Sequence, residues 1–230
     1  MFQIYTRREM SKKITALKVQ KKNQQRVNVY LDGEFVFGLS RIVAGCLHIG
    51  QELDDDKIVQ LKDEDEQEIN YQCAIRFLGY RVRSNSEIKK HLAQKGISEI
   101  IIEDVVSRLE RNGLLDDKKF AQLWVENRNE FRPRSHRMLF IELNKKGIHP
   151  DTINQVLDDT SSDEELVFKA AVNQVRKYRN LEWQDFRRKL SSYLARRGFS
   201  YSIINPVVNQ IWAERDSENQ SGLIEENNFG

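Results

Sequence analysis

Two pairs of arginines carry the most organised chemistry in this chain of 230 residues. Arg81 and Arg83 lie fifteen and thirteen residues before Gly96, and Arg132 and Arg134 hold the same two places before Gly147. Each pair precedes a serine, Ser84 or Ser135, that reads as the first residue of a helix. Guanidinium groups fork onto carboxylates and phosphates, and a helix N-terminus adds free N–H groups and the positive end of its dipole. The combination predicts anion recognition in two equivalent loops. The competing role for the same side chains is to neutralise carboxylates of their own chain or to lay their stems between helices. In a third stretch the aligned places hold Trp183 and Asp185, so the basic cluster there is Arg187, Arg188 and Lys189, followed by Arg196 and Arg197.

Catalytic constellations are scarce by comparison. There is no glycine-rich phosphate loop ending in Lys-Ser or Lys-Thr, no dinucleotide fingerprint and no paired-histidine metal motif. His48, His91, His136 and His149 are scattered, and Cys46 and Cys73 lack metal-ligand spacing. The best carboxylate pair is Asp116 and Asp117, to which a metal-dependent nuclease would recruit Glu126. The same two aspartates stand just before Lys118, Lys119 and Phe120, where helix caps belong, and that role is favoured. The expectation is a protein without catalytic residues, metal or cofactor. Trp124, Trp183, Trp212, Phe131 and Tyr178 read as core rather than as platforms for stacked bases.

The elements that position the arginines repeat. Gly96, Gly147 and Gly198 are spaced 51 residues apart, each after a basic residue and before an apolar one. Leu92, Leu143 and Leu194 sit four before them; Ile88, Leu139 and Leu190 eight before; Ile102, Ile153 and Ile204 six after; Val105, Val156 and Val207 nine after. A fixed period near fifty with apolar positions in step marks tandem supersecondary units. Each unit reads as three helices, with glycine stopping the second in the left-handed conformation and the basic residue before it facing the negative helix end. In the first unit the helices run over Glu68 to Leu78, from a Ser84 to Glu87 capping box to Gln94 or Lys95, and onward from Ser98. In the second, Asp116 or Asp117, Ser135 and Pro150 open the three helices. In the third they span Asp163 to Tyr178, Leu181 to Arg196 and Ser200 to Trp212.

Ahead of the repeats, Ile14 to Val19, Arg26 to Leu31 and Glu34 to Leu39 alternate with period two, and Asp32-Gly33 supplies a two-residue hairpin turn. Ser40 caps a short helix through Cys46. The fold class is therefore mainly α: tandem three-helix repeats, preceded by a small antiparallel β extension. The divisions are 1–53 for the β-hairpin extension, 54–110, 111–160 and 161–213 for the helical repeats, and 214–230 for an acidic flexible tail.

Charge follows these divisions. The net charge is +2, but residues 52–68 carry nine carboxylates against two lysines, and residues 213–230 carry five against Arg215. Residues 69–212 hold 25 basic side chains against 18 acidic ones. The ordered body is basic and its linker and tail are acidic, a pattern that attracts nucleic acid or an acidic protein surface. Charged residues at 31% and apolar ones at 39% suit an elongated, surface-rich helical array. No apolar run approaches the roughly 20 residues that span a bilayer, and Met1 to Ser11 lacks a secretory core, so a cytoplasmic location is expected.

The stretch Phe77-Leu78-Gly79-Tyr80-Arg81-Val82-Arg83-Ser84-Asn85-Ser86-Glu87 resembles the RecX family of recombination regulators. So do Leu92 to Ile97, Asn112 to Ala121 and Arg137 to Ile148, together covering about residues 70–158 and extending more weakly to about 212. The resemblance implies a curved array of three-helix units that binds the RecA recombinase, as a filament on DNA. It also implies restraint of the filament's growth, ATP hydrolysis, strand exchange and stimulation of repressor cleavage. Arg81, Arg83, Arg132, Arg134, Arg187, Arg188 and Lys189 are then the candidate RecA or DNA contacts of a monomeric regulator. The rival is a stand-alone nucleic-acid-binding helical module. The strands over residues 12–39 fall outside the resemblance and read as a lineage-specific extension.

Overall fold

A computed structural model describes residues 11–226 of the backbone, with side chains from 11 to 215. The polar amino-terminal segment over 1–10 and the last four residues of the acidic tail lie outside the described residues. The chain forms two compact units, one of residues 1–83 with 88–115 and one of residues 84–87 with 116–230.

The first unit opens with strands β1 (Lys12–Val19), β2 (Arg26–Leu31) and β3 (Glu34–Ser40), then a one-turn helix α1 (Arg41–Ala44) and a two-residue strand β4 (Glu52–Leu53). The sheet is antiparallel in the order β3-β2-β1-β4. The expected hairpin turn is present, with Asp32 at φ 50° and Gly33 at φ 93°, the two positive angles that such a turn demands. Ile14, Val29, Leu31 and Leu39 fill one face, and Ile58 and Leu61 of the following helix join them.

That helix, α2 (Asp55–Leu78), changes the expected layout. The acidic run over 52–68, a linker by its charge although Ile58, Leu61 and Ile69 have helix-compatible spacing, is helical from Asp55 onward, and its carboxylates account for this. Asp54 caps the first turn by accepting from Lys57 N at 2.7 Å, and Asp55 and Asp56 face the positive end of the dipole. Asp65 and Glu68 turn inward and are buried. Asp65 accepts from Arg26 Nη2 of β2 at 3.0 Å and from Ser40 N. Glu68 accepts from Arg108 Nη1 at 2.8 Å and from Gln72 Nε2 at 2.8 Å. One helix thereby ties the sheet to the first repeat, since Arg108 lies on α4 (Glu99–Arg111), which follows α3 (Asn85–Ala93). Removing either arginine leaves a buried carboxylate uncompensated, which costs about 3–5 kcal/mol where both partners are buried and less here, where the arginines are part-exposed.

The second unit contains α5 (Asp117–Phe131), α6 (His136–Lys145), α7 (Pro150–Asp158), α8 (Asp163–Val175), α9 (Trp183–Ala195) and α10 (Tyr201–Glu226). The expected caps are in place at Asp116 and Ser135, Pro150 occupies the first turn of α7, and Ser162 caps α8. Helix α10 continues past Ala213, where the sequence reading begins a frayed tail, up to Glu226. Three separate cores follow the 51-residue register, built around Ile88, Leu92 and Ile102, around Leu139, Leu143 and Ile153, and around Leu190, Leu194 and Ile204. The one slip is at the last position, where Val208 rather than Val207 is fully buried.

The three ruler glycines all have positive φ, at 79°, 79° and 92°, as helix stops require. Gly147 and Gly198 carry a second constraint. A Cβ on Gly147 would collide with Ser86 Cβ and come within 2.6 Å of its Oγ, and one on Gly198 would stand 2.5 Å from Ser135 Oγ and 3.0 Å from Met138 Cβ. Gly96 meets nothing within 4 Å. Alanine in the left-handed region costs about 1–2 kcal/mol, and forcing atoms into filled space adds about 1–3 kcal/mol. Gly147→Ala is therefore expected to destabilise the second unit by about 2–5 kcal/mol and Gly96→Ala to leave that unit nearly unchanged. Tryptophan fluorescence during urea unfolding checks this, because Trp124, Trp183 and Trp212 all lie in the second unit. Equal shifts from the two variants would refute the close approach as the cause.

Candidate functional site

The helix entrances behind the arginines are built from this chain's own groups. At the start of α3, Ser84 Oγ accepts from Glu87 N at 3.3 Å and donates to the Lys146 carbonyl at 2.6 Å. Asn85 N donates to Asp117 Oδ1 at 2.9 Å, and Lys146 Nζ meets Glu87 Oε1 at 2.6 Å. The start of α6 copies the plan. Ser135 Oγ accepts from Met138 N at 3.3 Å, Ser135 N donates to the Arg197 carbonyl at 3.1 Å, and His136 N donates to Asp163 Oδ1 at 2.7 Å. At both entrances an internal aspartate sits where the sequence places an outside anion. The basic residues before Gly147 and Gly198 also have a different duty from the expected one. Lys146 reaches Glu87, and Arg197 donates to the Pro133 carbonyl at 3.1 Å.

The four arginines divide by position rather than by repeat. Arg83 and Arg134 turn inward. The Arg83 guanidinium lies 3.4 Å from the centre of the Phe77 ring, and its Nε donates to the Phe77 carbonyl at 2.9 Å. Arg134 pairs with Glu142, whose other oxygen receives Trp124 Nε1 and Arg128 Nε, each at 2.8 Å. Arg81 and Arg132 point outward. Arg81 is exposed and donates to the Val82 carbonyl at 2.9 Å, and the Arg132 side chain forms no ion pair among the described residues. The stem-packing alternative fits the inner pair.

An aromatic residue stands beside each member of the outer pair. Tyr80 is 84% exposed and Phe131 72% exposed, so Phe131, assigned to the core from sequence, is a surface residue. Both stand sixteen before their glycines, immediately before Arg81 and Arg132, and the 51-residue ruler was the signal that pairs them. The other aromatics read as core, Trp124, Trp183, Trp212 and Tyr178, do pack against the second and third repeat cores. In the third repeat, Arg187, Arg188 and Lys189 are exposed on α9. Arg187 lies 5.9 Å from the Trp183 ring centre and Arg188 pairs with Asp185 at 2.7 Å. Arg187 and Arg188 line an open groove of about 580 Å³ with Trp183, Ser192 and Tyr201, and Lys189 stands outside it.

The aspartate pair is divided between two structural tasks. Asp116 caps α5 by accepting from Lys119 N at 2.9 Å, while Asp117 serves the start of α3. Among the described residues no group of three or more metal-ligating side chains converges. No helix there is long and apolar enough to cross a membrane.

Fold and surface together define a tandem three-helix repeat protein with an amino-terminal β-sheet domain and a repeated aromatic-arginine element facing solvent. Four family models match it in chain order. The regulatory protein RecX N-terminal domain covers residues 12–54, and the first, second and third RecX three-helix domains cover 71–109, 116–157 and 162–208. The chain belongs to the RecX family of regulatory proteins. It is 32% identical over 215 residues to regulatory protein RecX of Bacillus subtilis strain 168, spanning 92% of this chain and 81% of that one. It is 30% identical to the RecX of Clostridium acetobutylicum, spanning 88% and 98%. Among solved structures, a crystal structure of regulatory protein RecX matches with a TM-score of 0.70 at 28% identity, over 86% of this chain and 99% of that one. RecX from Lactobacillus salivarius shares the fold, at TM-score 0.55 and 23% identity. The amino-terminal match corrects the lineage-specific assignment, since the sheet is a domain of the family.

A histidine lies behind the first arginine loop. His91 stacks on Phe77 with centroids 3.7 Å apart and planes 7° apart, and Arg83 lies equally close to that ring, so the three form a sandwich. Burial lowers the His91 pKa below its ordinary 6.5, with Lys95 and then Arg83 adding charge repulsion. A depressed histidine contributes stability above its unfolded pKa that is lost as pH falls through the folded value. NMR titration should therefore give His91 a midpoint below 6.5, and Lys95→Ala should raise it. A midpoint at or above the unfolded value would contradict the sandwich.

Proposed function

We propose that this chain binds the RecA recombinase, as a filament on DNA. In this role it modulates, mostly by inhibition, RecA's ATPase, strand-exchange and co-protease activities in recombination and SOS repair. The reading rests on membership of the RecX family, and one observation gives it a surface. Tyr80 with Arg81 and Phe131 with Arg132 present the same exposed pair at a 51-residue interval. Aromatic residues and arginine are the side chains that most often dominate protein interfaces. Two copies suit a partner that offers one surface repeatedly, because weak contacts multiply when they engage together. The protein acts by occupancy in the cytoplasm, as a monomer, with no catalysis or cofactor of its own.

Single-strand-dependent ATP hydrolysis and strand exchange by purified RecA should fall when the protein is added below stoichiometry. Losing an interface anchor typically costs 2 kcal/mol or more, so Tyr80→Ala with Arg81→Glu should raise the concentration for half-inhibition about 10-fold or more. Adding Phe131→Ala and Arg132→Glu should abolish inhibition. All four side chains are exposed, so melting temperatures should hold. Inhibition that survives the quadruple variant would remove these residues from the interface, and no effect of the wild-type protein on any RecA activity would remove the function.

The groove of Trp183, Arg187, Arg188 and Tyr201 favours a second reading, direct binding of a nucleic-acid strand. Guanidiniums beside aromatic faces track phosphates and bases. Binding to naked single-stranded DNA would weaken steeply with salt, and Arg187→Glu with Arg188→Glu would flatten that dependence. Binding confined to the RecA filament, with a shallow salt dependence, would exclude it.

A further inference from the structure

A cavity of about 390 Å³ in the first unit has no part in the surface described above. One wall is the loop of Asn23 and Gln25 with Arg26, and another is Ser40, Arg41 and Ile42 at the end of β3 and the start of α1. Glu68, Ile69, Gln72 and Arg76 of α2 close it. Its size falls at the lower end of the roughly 300–1,000 Å³ of ligand sites, enough for a few side chains of an extended segment.

The charges around it do not cancel. Arg26 is spent on Asp65 at 3.0 Å and on the Gly38 carbonyl at 2.7 Å. Glu68 is buried and already receives Arg108 and Gln72. Both carboxylates thus have internal cations, whereas Arg41 and Arg76 are exposed and form no ion pair among the described residues. Between these guanidiniums, Ile42 is 60% and Ile69 is 42% exposed. No Phe, Tyr or Trp lines the cavity, so it offers no flat face to a base.

We infer that this cavity is a docking site for an acidic segment of a partner protein, one that carries a large aliphatic or aromatic residue between carboxylates. The apolar side chain covers Ile42 and Ile69, the flanking carboxylates fork onto Arg41 and Arg76, and the exposed amides of Asn23 and Gln25 serve the segment's backbone. Charge complementarity selects this occupant, since exposed, unpaired guanidiniums beside apolar surface favour a carboxylate-rich chain with an apolar anchor.

The test uses the full-length protein and fluorescence anisotropy with labelled acidic heptapeptides bearing Leu, Ile, Phe or Met at the centre. Matched peptides replace the acids by Gln and Asn, or the central residue by Ser. Acidic peptides with an apolar centre should bind at least 10-fold better than either control. Arg41→Glu with Arg76→Glu should erase that preference, and Ile42→Ser with Ile69→Ser should weaken binding 10-fold or more. Neither pair should move the melting temperature, because all four side chains are exposed. The double charge reversal should instead take up a lysine-flanked version of the same peptide. The site is overturned if no acidic peptide exceeds its amide control, or if the isoleucine variant binds as wild type. It is equally overturned if oligothymidylate displaces the peptides and binds the isoleucine variant unchanged, which would mark a phosphate surface. Arg81→Glu with Arg132→Glu must leave peptide binding intact, which separates failure here from failure of the RecA reading.

Discussion

A short helix that starts beneath other chain must find acceptors for its first-turn N–H groups, and this requirement organises the second unit. Such groups cannot be left dry without costing about as much as a lost hydrogen bond each. The solution is the same at Ser84 and at Ser135: a serine hydroxyl, an aspartate from the first helix of the following repeat, and a tight approach to the residue that precedes a glycine. That approach is possible only because position 147 or 198 has no Cβ. Glycine, serine, aspartate and the basic residue before the glycine are thus four parts of one joint. The arginines beside it are free to diverge, Arg83 onto a ring and Arg134 onto a carboxylate, because the joint does not need them.

The first unit is held by a different device. Asp65 and Glu68 lie one helical turn apart on α2, and each faces inward to a cation from another element. Since neither Arg26 nor Arg108 stands on α2, the helix works as a strut between the sheet and the first repeat. The sheet is therefore bound into the regulator's first compact unit, in keeping with a family domain over residues 12–54. It also explains why the cavity rim stays positive: the acids that would neutralise Arg41 and Arg76 are committed elsewhere.

Much of this was legible in the sequence because the 51-residue period repeats local signals. Strand alternation, the Asp32-Gly33 turn, the serine and aspartate caps and the left-handed glycines are each properties of a few adjacent residues, and all stand where the spacing puts them. What was not legible depends on distant partners. A run of nine carboxylates looks like a linker until Arg26 and Arg108 are seen to bury two of them. The outward turn of Phe131 was hidden because an aromatic at a helix end is as compatible with core as with surface. The helix entrances looked open to foreign anions because Asp117 and Asp163 are 32 and 27 residues away from the N–H groups they satisfy.

The third repeat starts its second helix without this joint. At the place of Ser84 and Ser135 the third repeat has Phe186, which is fully buried among Leu190, Ile211 and Trp212, and α9 is opened instead by Glu182 without a side-chain cap bond. A fourth repeat laid against this end would meet a phenyl ring already in use where a hydroxyl is wanted. Phe186 thus does in the third repeat what Ser84 and Ser135 do not: its ring belongs to the repeat's own core, and the helix start it displaces lies four residues earlier, at Glu182.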